Sequence, residues 1–180
     1  MEVSPEGGMH MPTQATASRS DDAAADGRAD FDFFFGRWAV SHRRLRKRLA
    51  GDTSWDAFGG TCDTRPILGG LGNFDDNAIE LPGGSYRAAT LRTFDPATRQ
   101  WSIWWIDGRN PLTIDVPMRG TFAGGVGTFM CEDVFEGHPI QVRFLWSRIT
   151  EESARWEQAF SADGGETWET NWIMDFARQA

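Results

Sequence analysis

From Trp38 to the end of the chain, apolar and polar residues alternate with a period of two, which is the pattern of half-buried β-strands. Clusters of Gly, Pro, Asn and Asp interrupt the alternation at roughly 8–12-residue spacing and predict tight turns. Nearly all connections have hairpin length, which favours antiparallel pairing of consecutive strands. We therefore predict an all-β fold, a single closed antiparallel up-and-down β-barrel of about 8–10 strands, because closure removes exposed sheet edges.

The candidate strands are predicted at 38–45, 54–66, 77–81, 86–94, 101–107, 112–116, 120–123, 126–135, 140–149, 154–161 and 169–176. The polar run 73–77, which reads Asn-Phe-Asp-Asp-Asn, follows the glycine-rich run 68–72 and is predicted to be a turn. Oxygen-bearing side chains in a turn suit a cation, but this run lacks the ligand spacing of a calcium loop. We predict no metal site.

The first 29 residues differ from the rest of the chain, since they contain no aromatic residue and are rich in Ala, Ser, Thr, Gly and Pro. Such a segment cannot bury enough apolar surface to offset the entropy of ordering it. We predict a disordered leader at 1–29 and a barrel domain at 30–180. At this boundary the run Phe31–Trp38 contains several aromatic rings, and it predicts a short helical plug at 30–36 that closes one end of the barrel.

Composition narrows the range of partners. The net charge is −8 and the isoelectric point is near 4.8, which disfavours a nucleic-acid partner because neutralising phosphates needs a basic face. The sequence has no apolar run of signal-peptide or membrane-span length, so we predict a soluble cytoplasmic protein with no membrane partner. Cys62 and Cys131 follow no redox or metal spacing and are predicted to be free thiols.

Three groups of residues carry a family resemblance: Gly36-Arg37-Trp38, the run Leu68-Gly69-Gly70-Leu71-Gly72-Asn73, and Arg155-Trp156-Glu157-Gln158 with Trp168 and Trp172. With these groups, residues 31–178 resemble the calycin-type barrels, in particular bacterial proteins of unknown function with a lipocalin-like barrel. The resemblance implies a cavity for a ligand. It also implies that Trp38 closes one end of the barrel and packs against an arginine of the last strands, either Arg178 or Arg155.

The nine tryptophans suit a cavity for a hydrophobic or aromatic small molecule, because an indole offers a large apolar surface and one N–H donor. We predict that the barrel binds such a molecule without a cofactor, and a homodimer is an open alternative to a monomer. Polar residues among the apolar ones of an inward face would orient the ligand. The predicted ligand-binding residues are Trp55, Asn73, Arg92, Trp105, Arg143, Trp146, Trp156, Gln158, Trp172 and Met174.

The alternative function is a cofactor-independent isomerase, cyclase or lyase that acts on a polyketide-like or aromatic metabolite in the same cavity. No known catalytic motif is present, but one or two acid–base groups suffice once a barrel has fixed the substrate conformation. The candidates are His42, Asp107, Glu132 and Glu157; for His42 a purely structural role is also open. The basic run 43–48 is either a solvated strand end or a cationic rim that attracts an acidic ligand.

Overall fold

The computed structural model describes residues 26–180, which form ten antiparallel strands around one closed barrel. Each strand pairs with its neighbours in the sequence, and β1 closes the ring by pairing with β10. This arrangement confirms the predicted all-β, closed, up-and-down architecture. The strands are β1 (Gly36–Leu45), β2 (Trp55–Ile67), β3 (Gly72–Ile79), β4 (Tyr86–Asp95), β5 (Gln100–Asp107), β6 (Met118–Ala123), β7 (Val126–Phe135), β8 (His138–Ser147), β9 (Ser153–Ser161) and β10 (Glu169–Arg178).

Two predicted local structures are wrong. The run 73–77 is not a turn but the middle of β3, where Asn73 and Asp75 are fully buried and hydrogen-bonded inside the barrel. The run 112–116 is not a strand: it contributes one isolated bridge, between Ile106 and Ile114, within the irregular connection 108–117. Prolines stand at both ends of that run, and a proline cannot donate a ladder hydrogen bond.

Burial alternates along the strands, so each strand presents one row of side chains to the interior. On β1, Trp38, Val40 and His42 are buried, and Arg44 follows on the same row at the end of the strand. The row continues around the barrel because the register pairs inward residues with inward residues, as with His42 and Met174. The inward rows of all the strands therefore enclose a common space.

One end of the barrel is closed by aromatic side chains from the segment before β1. Residues Asp32–Phe34 form a single 3-10 turn, so the predicted helical plug at 30–36 is not supported as a helix. Phe31 and Phe34 are nevertheless buried, and the ring of Phe34 stacks on Trp38 at a centroid distance of 5.5 Å. The indole nitrogen of Trp38 also donates to the Phe34 carbonyl at 2.8 Å. Because these contacts lie at the start of β1, they define the closed end.

Arg178 of β10 covers Trp38 at this end. Its guanidinium carbon lies 4.2 Å from the centroid of the Trp38 ring, and its two terminal nitrogens donate to the carbonyls of Phe33 and Phe35, each at 2.7 Å. Of the two arginines that the resemblance allows, Arg178 therefore holds this position. Arg155 instead pairs with Asp175, with a shortest nitrogen–oxygen distance of 2.6 Å.

The end of the predicted leader contacts the barrel. The indole nitrogen of Trp101 on β5 donates to the carbonyl of Gly27 at 3.0 Å, so residues 26–29 pack against the domain. The disorder predicted for residues 1–25 lies outside the described residues. In residues 26–180 we find no helix with the length and hydropathy of a membrane span.

Candidate functional site

The barrel encloses a cavity of about 270 Å³. One side of the cavity is an aromatic wall in which Trp172 of β10 lies between two other indoles. The ring centroids of Trp172 and Trp105 are 5.9 Å apart, those of Trp172 and Trp156 are 5.7 Å apart, and both pairs meet edge to face. We call Trp105, Trp156 and Trp172 the tryptophan wall. A wall of this kind offers flat apolar surface together with N–H donors.

The predicted site residues divide into two groups. Eight of them line the cavity: Arg92, Trp105, Asp107, Trp146, Trp156, Gln158, Trp172 and Met174. Six do not line it: His42, Trp55, Asn73, Glu132, Arg143 and Glu157. His42 and Asn73 are buried next to residues that line the cavity, whereas the other four belong to outward rows.

The four outward residues are placed by the period of two. Glu132 is exposed, because its neighbours Cys131 and Asp133 take the inward positions on β7. Glu157 lies between the inward Trp156 and Gln158 and therefore faces away from the cavity. The guanidinium carbon of Arg143 lies 4.3 Å from the ring centroid of Trp168, outside the cavity. The ring centroid of Trp55 lies 5.9 Å from the guanidinium carbon of Arg43. These four side chains lie outside the cavity.

His42 is a buried neutral histidine that holds the tryptophan wall. Burial, and then the positive charge of Arg44, lowers the pKa of His42 from 6.5 to about 4. Its Nδ1 accepts a hydrogen bond from the indole nitrogen of Trp172 at 3.2 Å, and its ring stacks on Phe58. Gly60 makes room for it, since a Cβ there would lie 2.9 Å from His42 Nε2. The geometry gives His42 a positioning role through Trp172.

Asp107 lines the cavity, but its carboxylate is already engaged. Arg109 contacts both carboxylate oxygens, with Nε 2.9 Å from Oδ1 and Nη2 2.5 Å from Oδ2. The hydrogen bonds from Arg109 lower the pKa of Asp107. A carboxylate that is held ionised by a paired guanidinium is a poor general acid.

The interior also contains an ion pair that the sequence analysis did not predict. Arg92 Nη1 lies 2.6 Å from Asp75 Oδ2 and 2.9 Å from Asn73 Oδ1, and all three side chains are almost fully buried. Asp75 Oδ1 accepts from the backbone N–H of Thr90 and from the side-chain amide of Asn77. Arg92 Nε and Asn73 Nδ2 are buried and have no acceptor in residues 26–180, which leaves two donor groups of this network unused.

Gln158 finds its hydrogen-bond partner within the protein. Its amide nitrogen donates to Asn171 Oδ1 at 2.8 Å. Asn171 lies at the irregularity where β10 shifts register between Thr170 and Trp172, and it is fully buried. The strict alternation predicts that Asn171 points outward, and this prediction is wrong because a bulge adds one residue and turns the side chain inward.

The outer end of the cavity, opposite Trp38, contains the predicted candidate Asp107 and part of the basic run 43–48, but also two acids that sequence reasoning missed. Asp115 and Asp133 line the cavity together with Cys131. Burial, with smaller contributions from Asp133 and Asp107, raises the pKa of Asp115. Burial, with smaller contributions from Asp133 and Asp115, raises the pKa of the Cys131 thiol to about 12, so the thiol stays protonated at neutral pH. Asp115 lies in the irregular connection 108–117, where no periodic pattern indicates which side chains face inward.

The cations of the outer end are Arg44, Arg48 and Arg109, and each guanidinium lies over an aromatic ring. The basic run 43–48 supplies two of them, because Arg44 occupies the inward row of β1 and Arg48 lies in the following loop. In residues 26–180 no three His, Cys, Asp or Glu side chains form a group that suits a metal ion. The cavity therefore offers aromatic surface, guanidinium groups and one carboxyl with a raised pKa.

No known family model matches the chain, and no curated protein does. Among solved structures, the chain is similar to the S-type phycobiliprotein lyase CPES from Guillardia theta, with a TM-score of 0.55 and 10% sequence identity. The match covers 87% of this chain and 97% of that chain. At this identity the likeness concerns the fold alone, and it supports the lipocalin-like prediction at that level.

Proposed function

We propose that this protein binds a hydrophobic or aromatic small molecule inside the barrel. The observation that carries the proposal is the tryptophan wall beside a cavity of about 270 Å³. A site of this kind buries the apolar body of a ligand, and a few polar groups fix its orientation. Arg92 and Trp146 line the cavity, and each keeps a buried nitrogen without an acceptor in the described residues, which an oxygen atom of a ligand in the cavity would satisfy.

An isomerase, cyclase or lyase is the second candidate, and one observation favours it. Asp115 lines the cavity, and burial raises the pKa of its carboxyl, which makes this side chain the candidate general acid or base. The solved chain of similar fold is a lyase by name, which supports chemistry in a barrel of this shape. Chromatographic separation and NMR analysis of a bound aromatic compound after incubation distinguish the two candidates, because a binding protein returns it unchanged, whereas an isomer has the same mass but a different retention time and spectrum.

Two neighbouring tryptophans provide the test of the binding proposal. Trp105 belongs to the tryptophan wall, whereas Trp104, the preceding residue of β5, lies outside the cavity. We expect Trp105→Ala to weaken the binding of an aromatic compound about tenfold, since a lost aromatic contact costs about 0.5–1.5 kcal/mol beyond the buried area. Trp104→Ala should change the affinity less than about twofold.

The measurement is an equilibrium titration, followed by tryptophan fluorescence, of each folded variant with the best compound from a metabolite panel. Equal losses of affinity in the two variants would contradict a binding site inside the barrel. A cytoplasmic location, a homodimer and the lack of nucleic-acid and membrane partners stay predictions of the sequence.

A further inference from the structure

Two guanidiniums that line the cavity, those of Arg44 and Arg48, have no carboxylate partner in residues 26–180, and Arg44 is the one that stacks on the tryptophan wall. Arg44 lies on the inward row of β1, and its guanidinium carbon is 4.6 Å from the ring centroid of Trp172 in the tryptophan wall. Among residues 26–180, no Asp or Glu oxygen lies within ion-pair distance of it. A half-buried cation that stacks on an indole and lacks an anion is a ready site for an anionic group.

The neighbours of Arg44 leave this corner of the cavity with an excess positive charge. Arg109 is close enough for its charge to act on Arg44, but its own charge is balanced by the bidentate pair with Asp107. Tyr86 is buried beneath Arg109, with 3.8 Å between the guanidinium carbon and the ring centroid. Burial raises the pKa of Tyr86, so its hydroxyl stays neutral. Two cations and one anion therefore meet at this corner.

The unpaired acids of the cavity act elsewhere. Asp115 and Asp133 influence each other and Cys131, and neither lies within ion-pair distance of Arg44. The outer end of the cavity thus has a cationic corner at Arg44 and an acidic group at Asp115, and the charge of Asp107 acts on both. An anionic group entering the cavity is attracted to the first and repelled by the second.

We propose that the natural ligand is an aromatic carboxylate whose acid group binds Arg44 while its ring packs against the tryptophan wall. This inference rests on the proposed function and names the class of ligand. Trp172 joins the two parts, because it contacts Arg44 on one side and Trp105 and Trp156 on the other. The hydroxyl of Tyr86 accepts a hydrogen bond from Arg44 at the same corner, and its own proton stays available as a second donor to the acid.

The test compares 2-naphthoate with 2-naphthamide, two compounds of the same shape of which only the first is charged. Binding is measured by calorimetry with the wild-type protein, Arg44→Gln and Arg43→Gln. Arg43 is the matched control, since it precedes Arg44 on β1 and is exposed on the outer face. We expect the wild type to bind the carboxylate about tenfold more tightly than the amide, as one charge-assisted hydrogen bond allows.

Arg44→Gln should lower the affinity for 2-naphthoate about tenfold and leave that for 2-naphthamide within about twofold. Arg43→Gln should leave both affinities at the wild-type values. Equal wild-type affinities for the two compounds, or equal losses of both in Arg44→Gln, would overturn the anionic site while the aromatic cavity stands. Failure of both compounds to bind the wild type would instead count against the proposed function itself.

Discussion

Asp75→Asn should lower the free energy of unfolding by about 3–5 kcal/mol, because it leaves the buried guanidinium of Arg92 without its counter-charge. Asp75 is 1% exposed and Arg92 is 4% exposed, so little water reaches the guanidinium to replace the lost carboxylate. The asparagine keeps the size and shape of the side chain. The loss therefore reports the missing charge and not a cavity.

The next residue of β3 supplies the control. Asp76 pairs with Arg87 on the outer surface, where both side chains are more than half exposed. An exposed pair contributes about 0–1 kcal/mol, so Asp76→Asn should stay within that range. Chemical denaturation of the wild type and the two variants at pH 7 measures the difference. Similar losses in the two variants would mean that the Asp75–Arg92 pair is not held in a dry interior.

The second large effect is the dependence of stability on pH that His42 produces. The pKa of His42 is about 4 in the folded protein and has a reference value of 6.5, so the unfolded chain binds a proton first as the pH falls. The contribution of His42 to the free energy of unfolding is fully present above about pH 6.5. It falls by about 1.4 kcal/mol per pH unit as the pH decreases toward 4. The total loss is of order 3 kcal/mol.

In His42→Gln this contribution disappears, so the free energy of unfolding should fall less steeply between pH 6.5 and 4 than it does in the wild type. The matched control is His138→Gln, since His138 is exposed at the start of β8. The measurement is a series of urea denaturations across this pH range. Parallel profiles for the wild type and His42→Gln would contradict the neutral, buried state of His42.

Much of the barrel was predictable because alternation and turn chemistry are local properties of the sequence. The prediction was wrong where tertiary contacts override them. At 73–77 the polar residues indicate a turn, yet they form the middle of a strand because Asp75 meets Arg92 from β4. At 112–116 the apolar residues suggest a strand, yet flanking prolines leave a single bridge to β5. Neither outcome is visible without the neighbouring strand.

In the candidate site too, the local pattern predicts some residues correctly, and others depend on tertiary structure. The tryptophan wall follows from the period of two, since Trp105, Trp156 and Trp172 all occupy inward rows. The same period places Glu132 and Glu157 outward, so neither acid reaches the cavity. Asp115 could not be predicted because it lies in an irregular connection, and its raised pKa arises from burial that only the folded chain creates.

The most direct test of ligand binding within the barrel is a ¹H–¹⁵N correlation spectrum of the indole groups during titration with 2-naphthoate. The nine tryptophans each give one indole signal, which Trp→Phe variants assign. We predict that the signals of the tryptophan wall shift and saturate together, while those of Trp55, Trp104 and Trp168 stay in place, since the wall lines the cavity and these three indoles do not. Shifts confined to the outer tryptophans, or no shift at all, would contradict a ligand site inside the barrel.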